Sequence, residues 1–499
     1  MNLNVSPEKA APCDVLVIGA GVVGCAVARA LSHKQARVIV LEAGEDVANG
    51  ASKANSAIIH SGHDAKSGTQ KAFHNVRGNA LFEPLCRELG VPFRRNGSLV
   101  VAFSEEEKAT LATYVERGRV NGVPGLEILD REALLAREPN LSPEAVAALW
   151  APTGGICCPY ELTFRLAENA AANGAAFRFE TPVTGLTRED GSWRIETRDG
   201  GVFFARAVVN AAGSQSAKLN NLVSARHYEI EPRRGEYLMI DKSEAGTFQS
   251  TLFMVPTSVG KGVLVSPTVD NTLIVGPTND PIPDATDKAT TAAGLAKLQA
   301  TARRLWPTLP MRKVIAAFSG IRAHEETGGD FVIGEAPDAP LFFNALGIES
   351  PGLVASPSIA ETLVADIAAK LGLEDKPAAA ISTDTSQWPH IRDLSPAALA
   401  DVVRRDPAYG RVVCRCETVS EGEIRASIRA RVGARTVDGI KRRTRATMGR
   451  CQGGFCTPRL LEILAEELGI RIDEVTKCGG ASNVVVGPLF EAGEPEAGR

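Results

Sequence analysis

No charge of one sign dominates this 499-residue chain: 55 Lys and Arg stand against 59 Asp and Glu, a net charge of −4. That balance excludes the broadly basic surface with which a protein tracks a nucleic-acid backbone. Long uninterrupted apolar runs are also missing. The most apolar stretch, residues 15–31, is broken by three glycines and Arg29, which reads as strand, tight turn and helix rather than a membrane span. The first eleven residues show no basic region followed by an apolar core, the mark of a secretory leader, so a cytoplasmic location is expected. Internal repeats and long low-complexity tracts are absent. Ten cysteines are too sparse over this length for a secreted disulfide scaffold; in a reducing compartment, a close group of them points to metal or redox work.

What is present reads as a multi-domain globular protein. The chain is too long for one ordinary core, and 44% hydrophobic with 23% charged residues is a globular composition. Asp14-Val-Leu-Val-Ile-Gly19 and Arg37-Val-Ile-Val-Leu-Glu42 read as buried parallel strands around a helix over 22–32, one βαβ unit. Ala207-Val-Val-Asn-Ala-Ala-Gly213 and Leu341-Phe-Phe-Asn-Ala-Leu-Gly347 are further short apolar strands, and 352–371 has helical spacing. Residues 81–151 look helical, whereas 223–319 hold β-like runs separated by Pro and Gly. The expected class is α/β: a Rossmann-like nucleotide domain over 12–372 in discontinuous pieces, with a β-rich substrate domain inserted at about 223–319. Ala, Pro, Ser and Thr then mark a linker within 373–405, and a small helical unit follows over 406–475.

Gly19-Ala-Gly21-Val-Val-Gly24 closes the first strand and opens the helix. The first glycine permits the turn, the second lets backbone approach a pyrophosphate, and the third lets helix and strand pack closely. Unpaired N–H groups at the helix start then favour the anion. Glu42 lies 42 − 19 = 23 residues later, at the end of the second strand, placed to accept hydrogen bonds from an adenosine ribose. A glycine-rich turn can also be only structural, and the fingerprint does not separate FAD from NAD.

Near the other end, Val413-Cys-Arg-Cys-Glu417 and Gly449-Arg-Cys-Gln-Gly-Gly-Phe-Cys456 give C-x-C, 34 residues, then C-x4-C. Four thiolates from two short loops, Cys414, Cys416, Cys451 and Cys456, suit a tetrahedral zinc or an iron–sulfur cluster, and spacing does not choose between them. Cys478 has no partner in sequence and is expected to stand apart. Four cations in 441–445 read as a solvated face, or as a guide for an acidic electron-transfer partner.

Two resemblances extend these readings. Gly50-Ala-Ser-Lys-Ala-Asn-Ser56, Ile58-Ile-His-Ser-Gly62, Asn210-Ala-Ala-Gly213 and Gly347-Ile-Glu-Ser-Pro-Gly352 resemble, in order and spacing, the flavin-contacting segments of the D-amino-acid-oxidase-like (DAO) superfamily. The resemblance spans roughly 12–370 and implies a DAO/glutathione-reductase-type fold binding FAD. It places Ser52 and Asn55 along the pyrophosphate or flavin, and Gly213 among the later contacts. It puts Gly352 and Leu353 at the pyrimidine edge, and Val183 at the adenine through its backbone. The cysteine segment resembles the BFD-like [2Fe-2S] domain, most of all the version ending the large subunits of anaerobic glycerol-3-phosphate dehydrogenases. The shared run here is Arg442-Arg-Thr-Arg-Ala-Thr-Met-Gly-Arg-Cys451.

Within that frame Arg322, in Phe318-Ser-Gly-Ile-Arg322, matches the superfamily arginine that holds a substrate carboxylate or phosphate, although Ala323-His324 stands where proline usually follows. A structural ion pair is its other reading. His60 is the candidate base or flavin contact, against a buried hydrogen-bonded histidine; His63 and His324 are lesser candidates that read as surface residues, and Arg233, Arg234 and Lys261 in the inserted domain could add positive charge but read by default as exposed. Residues 51–79 and Gly235-Glu-Tyr-Leu also resemble L-2-hydroxyglutarate dehydrogenases. The implied activity is oxidation of a small anionic hydroxy substrate, sn-glycerol-3-phosphate or an L-2-hydroxy acid. Electrons would pass through the cluster to a partner or quinone. An amino- or imino-acid dehydrogenase or oxidase subunit, and a non-catalytic flavin- and metal-binding subunit, are the alternatives. Expected partners are other flavoprotein or electron-transfer subunits, with no nucleic acid and no transmembrane segment, at most a peripheral place at the membrane.

Overall fold

The computed structural model describes residues 13–256 and 262–487; Lys261 lies outside them. The chain divides into two compact units, Met1–Gln387 and Trp388–Arg499.

In the first unit, strand Cys13–Ile18 lies between Val38–Leu41 and Val202–Asn210, parallel to both, with Val17 opposite Val40 and Val209. Ala176–Arg178 extends this sheet beyond Val38–Leu41, and Ala339–Leu346 runs parallel to Val202–Asn210. Covered on both faces, these strands are continuous apolar runs rather than alternating ones. Helix Val22–Ser32 packs against helices Pro159–Ala172 and Gly352–Leu371, and the last of these also packs against Gln70–Leu89. Gly78 allows that contact, because a Cβ there would sit 2.0 Å from the Val354 carbonyl oxygen. Gly352–Leu371 is the one helix among the described residues long and apolar enough to cross a membrane, with a mean hydropathy of 1.3. More than half of it is buried in the protein, as befits a core helix.

A nine-stranded sheet forms the other half of this unit. Ile230–Ile240 pairs along its length with Val314–Glu325, and on its other edge with Leu273–Gly276 and Asp280–Pro281. The sheet continues through Leu264–Pro267 and Thr251–Met254 into Ser98–Ala102, Ala147–Ala151 and Glu127–Asp130. Leu99, Leu238, Leu252, Val265, Phe248 and Trp306 fill the core beneath it. Residues 81–151, expected as helical, therefore supply three strands of this sheet. Helix Glu105–Asn121, capped by Ser104, interrupts them. Ala147-Ala-Leu-Trp-Ala151 has helix-forming composition, yet pairing on both edges with buried neighbours decides its conformation.

Past Gly352–Leu371, residues 382–387 lie along helix Pro159–Ala172. There Arg165 donates to the Thr385 and Ser386 carbonyls, each at 2.9 Å, and Asn169 to Ser382 at 2.9 Å. The second unit holds helices Pro396–Arg405, Glu421–Arg429, Val437–Thr444 and Thr457–Leu468, with the short hairpin Val412–Cys414 and Val419–Ser420. Its own core gathers Ile424, Ile428, Ile440, Leu460, Leu461 and Leu464. Ser420 and Glu423 close a reciprocal cap on the second of these helices.

Candidate active site and cluster site

The glycine turn is closed by direct backbone packing. Gly19 has φ +103°, and a Cβ there would come 2.5 Å from the Ala211 carbonyl oxygen; one on Gly24 would come 1.9 Å from the Gly19 oxygen. Gly21 leaves open the space above the helix start, where Ser52 Oγ accepts from the Val22 N–H at 2.9 Å. Glu42 accepts from the N–H groups of Ala20 and Gly44 at 2.7 and 2.8 Å. Burial pushes its carboxyl up, and those two bonds oppose the rise. Asn55 commits its amide to its own turn, donating to the Ala51 and Ser52 carbonyls and accepting from the Ala57 N–H.

Gly19, Gly21, Glu42, Ser52, Asn55, Val183, Gly213, Gly352, Leu353, His60 and Arg322 all line a single cavity of about 1590 Å³; Gly24 lies beneath it. A pocket for one small ligand is typically ~300–1,000 Å³, so this one has room for a dinucleotide and a substrate together.

On the cavity wall, Arg322 and Arg233 stand directly opposite on paired strands, with His324 and Glu231 the next pair on the same face. Arg322 donates to the Thr278 carbonyl and to Asn279 Oδ1 at 3.2 and 3.3 Å. Gly235 makes room for it, since a Cβ there would lie 2.9 Å from the guanidinium. Among the described residues no carboxylate lies within ion-pair distance of Arg322, unlike Arg233, which pairs with Glu231 and, at 3.6 Å, with Glu326. Arg234 turns away to Asp287 at 2.8 Å.

His60 presents Nε2 3.5 Å from Ser350 Oγ, and its ring lies 5.7 Å from Phe253. Its carbonyl is fixed by the side-chain amides of Asn75 and Asn79, at 2.7 and 3.0 Å. Two histidines expected at the surface are elsewhere. His63 is buried, with Nδ1 2.8 Å from Ser61 Oγ. His324 lines the cavity, and its Nδ1 lies 2.9 Å from a Glu349 oxygen that also accepts from Lys71 at 2.7 Å. Burial pushes Glu349 up, but Lys71 and His324 outweigh it and hold the carboxyl below its usual range.

The four cysteines of the second unit come together as two pairs. Cys416 and Cys451 have their sulfurs 3.5 Å apart, and Cys414 is hydrogen-bonded to Cys456. Two thiolates on one tetrahedral metal lie about 3.7 Å apart, from metal–sulfur bonds of about 2.3 Å. A [2Fe-2S] cluster takes two thiolates on each iron, which two pairs can supply. Backbone N–H groups converge on the sulfurs: Thr447 and Glu417 on Cys414, Thr447 on Cys456, Cys451 on Cys416, and Gly453 and Phe455 on Cys451. The hydrogen bond from Cys456, aided by those amides, brings the Cys414 thiol down to about 6. Gly449 lets the loops meet, for a Cβ there would lie 2.2 Å from Cys416 Cβ. This donor set fits a cluster held by four thiolates.

The cations at 441–445 do not form the solvated face expected of them. Arg442 and Arg443 are buried, and Arg443 donates to the Gly439 and Val432 carbonyls at 3.1 and 2.7 Å. Burial pushes Lys441 down, and Arg445 holds Glu417 at 2.9 Å. Cys478 is exposed.

The profile of FAD dependent oxidoreductases, the DAO family, matches residues 14–366. The chain belongs to that family. A second profile, the BFD-like [2Fe-2S] binding domain, matches residues 412–466 and spans all four cysteines. FAD and a [2Fe-2S] cluster are thus the cofactors of this DAO-family enzyme, as its motifs imply. A glycerol 3-phosphate dehydrogenase from Caloramator mitchellensis is 45% identical over 95% of this chain and 98% of its own length. A glycerol 3-phosphate oxidase from Mycoplasma pneumoniae is 32% identical, over 70% of this chain and 93% of its own. Among solved structures, the FAD-bound L-alpha-glycerophosphate oxidase of M. pneumoniae covers 74% of this chain and 97% of its own, with TM-score 0.69 and 31% identity. The FAD complex of glycerol-3-phosphate dehydrogenase from Bacillus halodurans covers 92% of each chain with TM-score 0.67; at 18% identity it speaks for the fold alone.

Several residues at or beside the wall of this DAO-family cavity are not singled out by the sequence. Lys71 and Glu349 lie 278 positions apart. Ser350 sits inside Gly347–Gly352, whose resemblance points to flavin contact at Gly352 and not to this hydroxyl, and Asn75 and Asn79 are amides one helical turn apart in a helix of mixed composition. The i, i+4 spacing of those two amides was the one available hint.

Proposed function

We propose that this chain is an sn-glycerol-3-phosphate dehydrogenase whose electrons leave through the [2Fe-2S] cluster. The 45% identity, over nearly the whole chain, to the C. mitchellensis glycerol 3-phosphate dehydrogenase carries the reading. The chemistry of the cavity supports it. Arg322, with no carboxylate of its own, offers a guanidinium fork to a phosphate. Arg233 adds charge directly opposite, partly neutralised by Glu231.

In this reading Gly19, Gly21, Gly24 and Ser52 cradle the FAD pyrophosphate, Glu42 takes the ribose and Val183 the adenine. Asn55, by shaping its turn, and Gly213 lie along the flavin, with Gly352 and Leu353 at its pyrimidine edge. Bound there, FAD supplies a two-electron acceptor, and the cluster at Cys414, Cys416, Cys451 and Cys456 supplies single-electron steps. His60 receives the C2 hydroxyl proton as that carbon becomes a ketone, with Ser350 orienting the imidazole. The oxidoreductase unit runs from 12 to 372, the connecting segment from 373 to 405 and the cluster unit from 406 to 475. Its setting is the cytoplasm, where it works with other electron-transfer subunits or with a quinone at the membrane surface.

The test is an anaerobic visible spectrum of iron-loaded protein before and after sn-glycerol-3-phosphate, L-2-hydroxyglutarate or proline. Bleaching of flavin and cluster bands by the first alone is the expected result. Bleaching only by one of the others would reassign the substrate.

A further inference from the structure

The strand that carries Arg322 brings a second ionisable side chain to the cavity. From Gly235 opposite Gly320 to Ile230 opposite Glu325 its pairing keeps one register, so Arg322 and His324, two residues apart, stand on the same face. At about 3.4 Å per residue their Cα atoms lie about 7 Å apart, close enough for both side chains to reach one small anion. Both line the cavity.

The His324 ring is aimed through one nitrogen. Its Nδ1 lies 2.9 Å from Glu349 Oε1, an oxygen that also accepts from Lys71 Nζ at 2.7 Å. Lys71 is itself fixed: its ammonium donates to the Gly329 carbonyl at 2.8 Å and its backbone N–H to Asp330 at 3.0 Å. The other nitrogen, Nε2, makes no hydrogen bond among the described residues. Glu326 Oε1 stands 3.9 Å from it and 3.6 Å from an Arg233 nitrogen, too far for a hydrogen bond to either. That side chain is 43% exposed, with solvent to turn into when a stronger anion enters. Glu231, opposite His324, is taken up by Arg233.

We propose that His324 is the donor by which this cavity selects a phosphate monoester over a carboxylate, its Nε2–H taking the oxygen that Arg322 leaves over. The inference rests on the substrate reading above. A carboxylate offers two oxygens, which the fork of one guanidinium engages; a phosphate monoester offers three. With a carboxylate on Nδ1 and a phosphate oxygen at Nε2, the ring holds both protons and donates on both sides. Of the charged groups facing it, Glu349, Glu326 and Glu231 favour that imidazolium, while Arg322, Arg233 and Lys71 oppose it. The charge of the phosphate tips the balance.

Anaerobic stopped-flow reduction of the flavin in the holoenzyme gives the Kd for sn-glycerol-3-phosphate separately from the limiting rate, with inorganic phosphate and acetate as competing anions. The amide of asparagine falls where Nδ1 lies, that of glutamine where Nε2 lies. His324→Asn therefore keeps a hydrogen bond to Glu349 and loses the donor to substrate. It is expected to raise the Kd for sn-glycerol-3-phosphate and the inhibition constant of phosphate by about tenfold or more, the loss of a charge-assisted hydrogen bond. The limiting rate should fall less than about threefold and the acetate constant rise less than about twofold, because neither depends on the third oxygen. His324→Gln should recover part of the loss. The reverse order, His324→Asn behaving as wild type while His324→Gln is impaired, would assign His324 to holding Glu349 alone and overturn the proposal. Equal losses for phosphate and acetate overturn it too. A wild-type flavin that sn-glycerol-3-phosphate does not reduce brings down the substrate reading and this inference with it. A wild type that is reduced, with both constants indifferent to His324→Asn, overturns the inference alone.

Discussion

In the proposed reaction Arg322 is the side chain that captures the substrate phosphate. Replacing its guanidinium with an apolar chain of similar length removes a bidentate, charge-assisted contact. Arg322→Met should lower kcat/KM for sn-glycerol-3-phosphate by about 100- to 1,000-fold, roughly 3–4 kcal/mol. Arg322→Lys should recover a part, and the flavin spectrum should be unchanged in both. A second prediction concerns acid stability. Burial pushes the His74 imidazole down to about 4; its Nδ1 lies 2.9 Å from Ser358 Oγ, while Nε2 has no partner among the described residues. An unfolded histidine takes its proton near pH 6.5, so between about 6.5 and 4 the unfolded chain binds a proton that the folded chain refuses. Stability contributed here is intact above that window and falls on acidification by up to about 1.4 kcal/mol per pH unit. His74→Gln should flatten the dependence, read as the urea midpoint from pH 4 to 7. At this scale the positions of Arg322 and His60 on the cavity wall and the gathering of the four cysteines were legible because short motifs carry them. His324 was misread because its partner, Glu349, is adjacent only after folding.

Between elements, the tightest fit is the crossing of Gln70–Leu89 and Gly352–Leu371 at Gly78. Gly78→Ala forces the Val354 carbonyl to move, an overpacking cost on the order of 1–3 kcal/mol, and displaces the helix whose first residues line the cofactor cavity. A lower melting temperature together with faster loss of FAD on dilution is expected; a drop in stability with FAD retention untouched would separate the two effects. The strand–glycine turn–helix was readable because parallel strands are apolar throughout and the turn imposes its glycines. The strands Ser98–Ala102 and Ala147–Ala151 were not. Ser98–Ala102 takes its parallel partner, Thr251–Met254, from about 150 residues further along the chain, and Ala147–Ala151, helix-forming in composition, pairs with Ser98–Ala102 across an intervening helix.

The whole molecule carries its two chemistries on separate cores, one filled by Leu99, Leu238 and Trp306, the other by Ile424, Ile440 and Leu464. Cys451→Ser should therefore lower bound iron and abolish reduction of an external one-electron acceptor, while substrate still bleaches the flavin. Differential scanning calorimetry should show that iron loss moves only one of two transitions. The two large sheets of the first unit, however, are finished by late strands. Ile230–Ile240 waits for Val314–Glu325, and Val202–Asn210 for Ala339–Leu346, so a chain emerging from the ribosome can close neither sheet until most of it has been made. Long-range pairing of that kind is slow and leaves strand edges open. The core of the cysteine unit comes from one contiguous stretch and can condense as soon as that stretch is released. During synthesis, then, the part made last is the part able to fold soonest, and any shortage of iron would first be felt on a protein whose flavin half has only just closed.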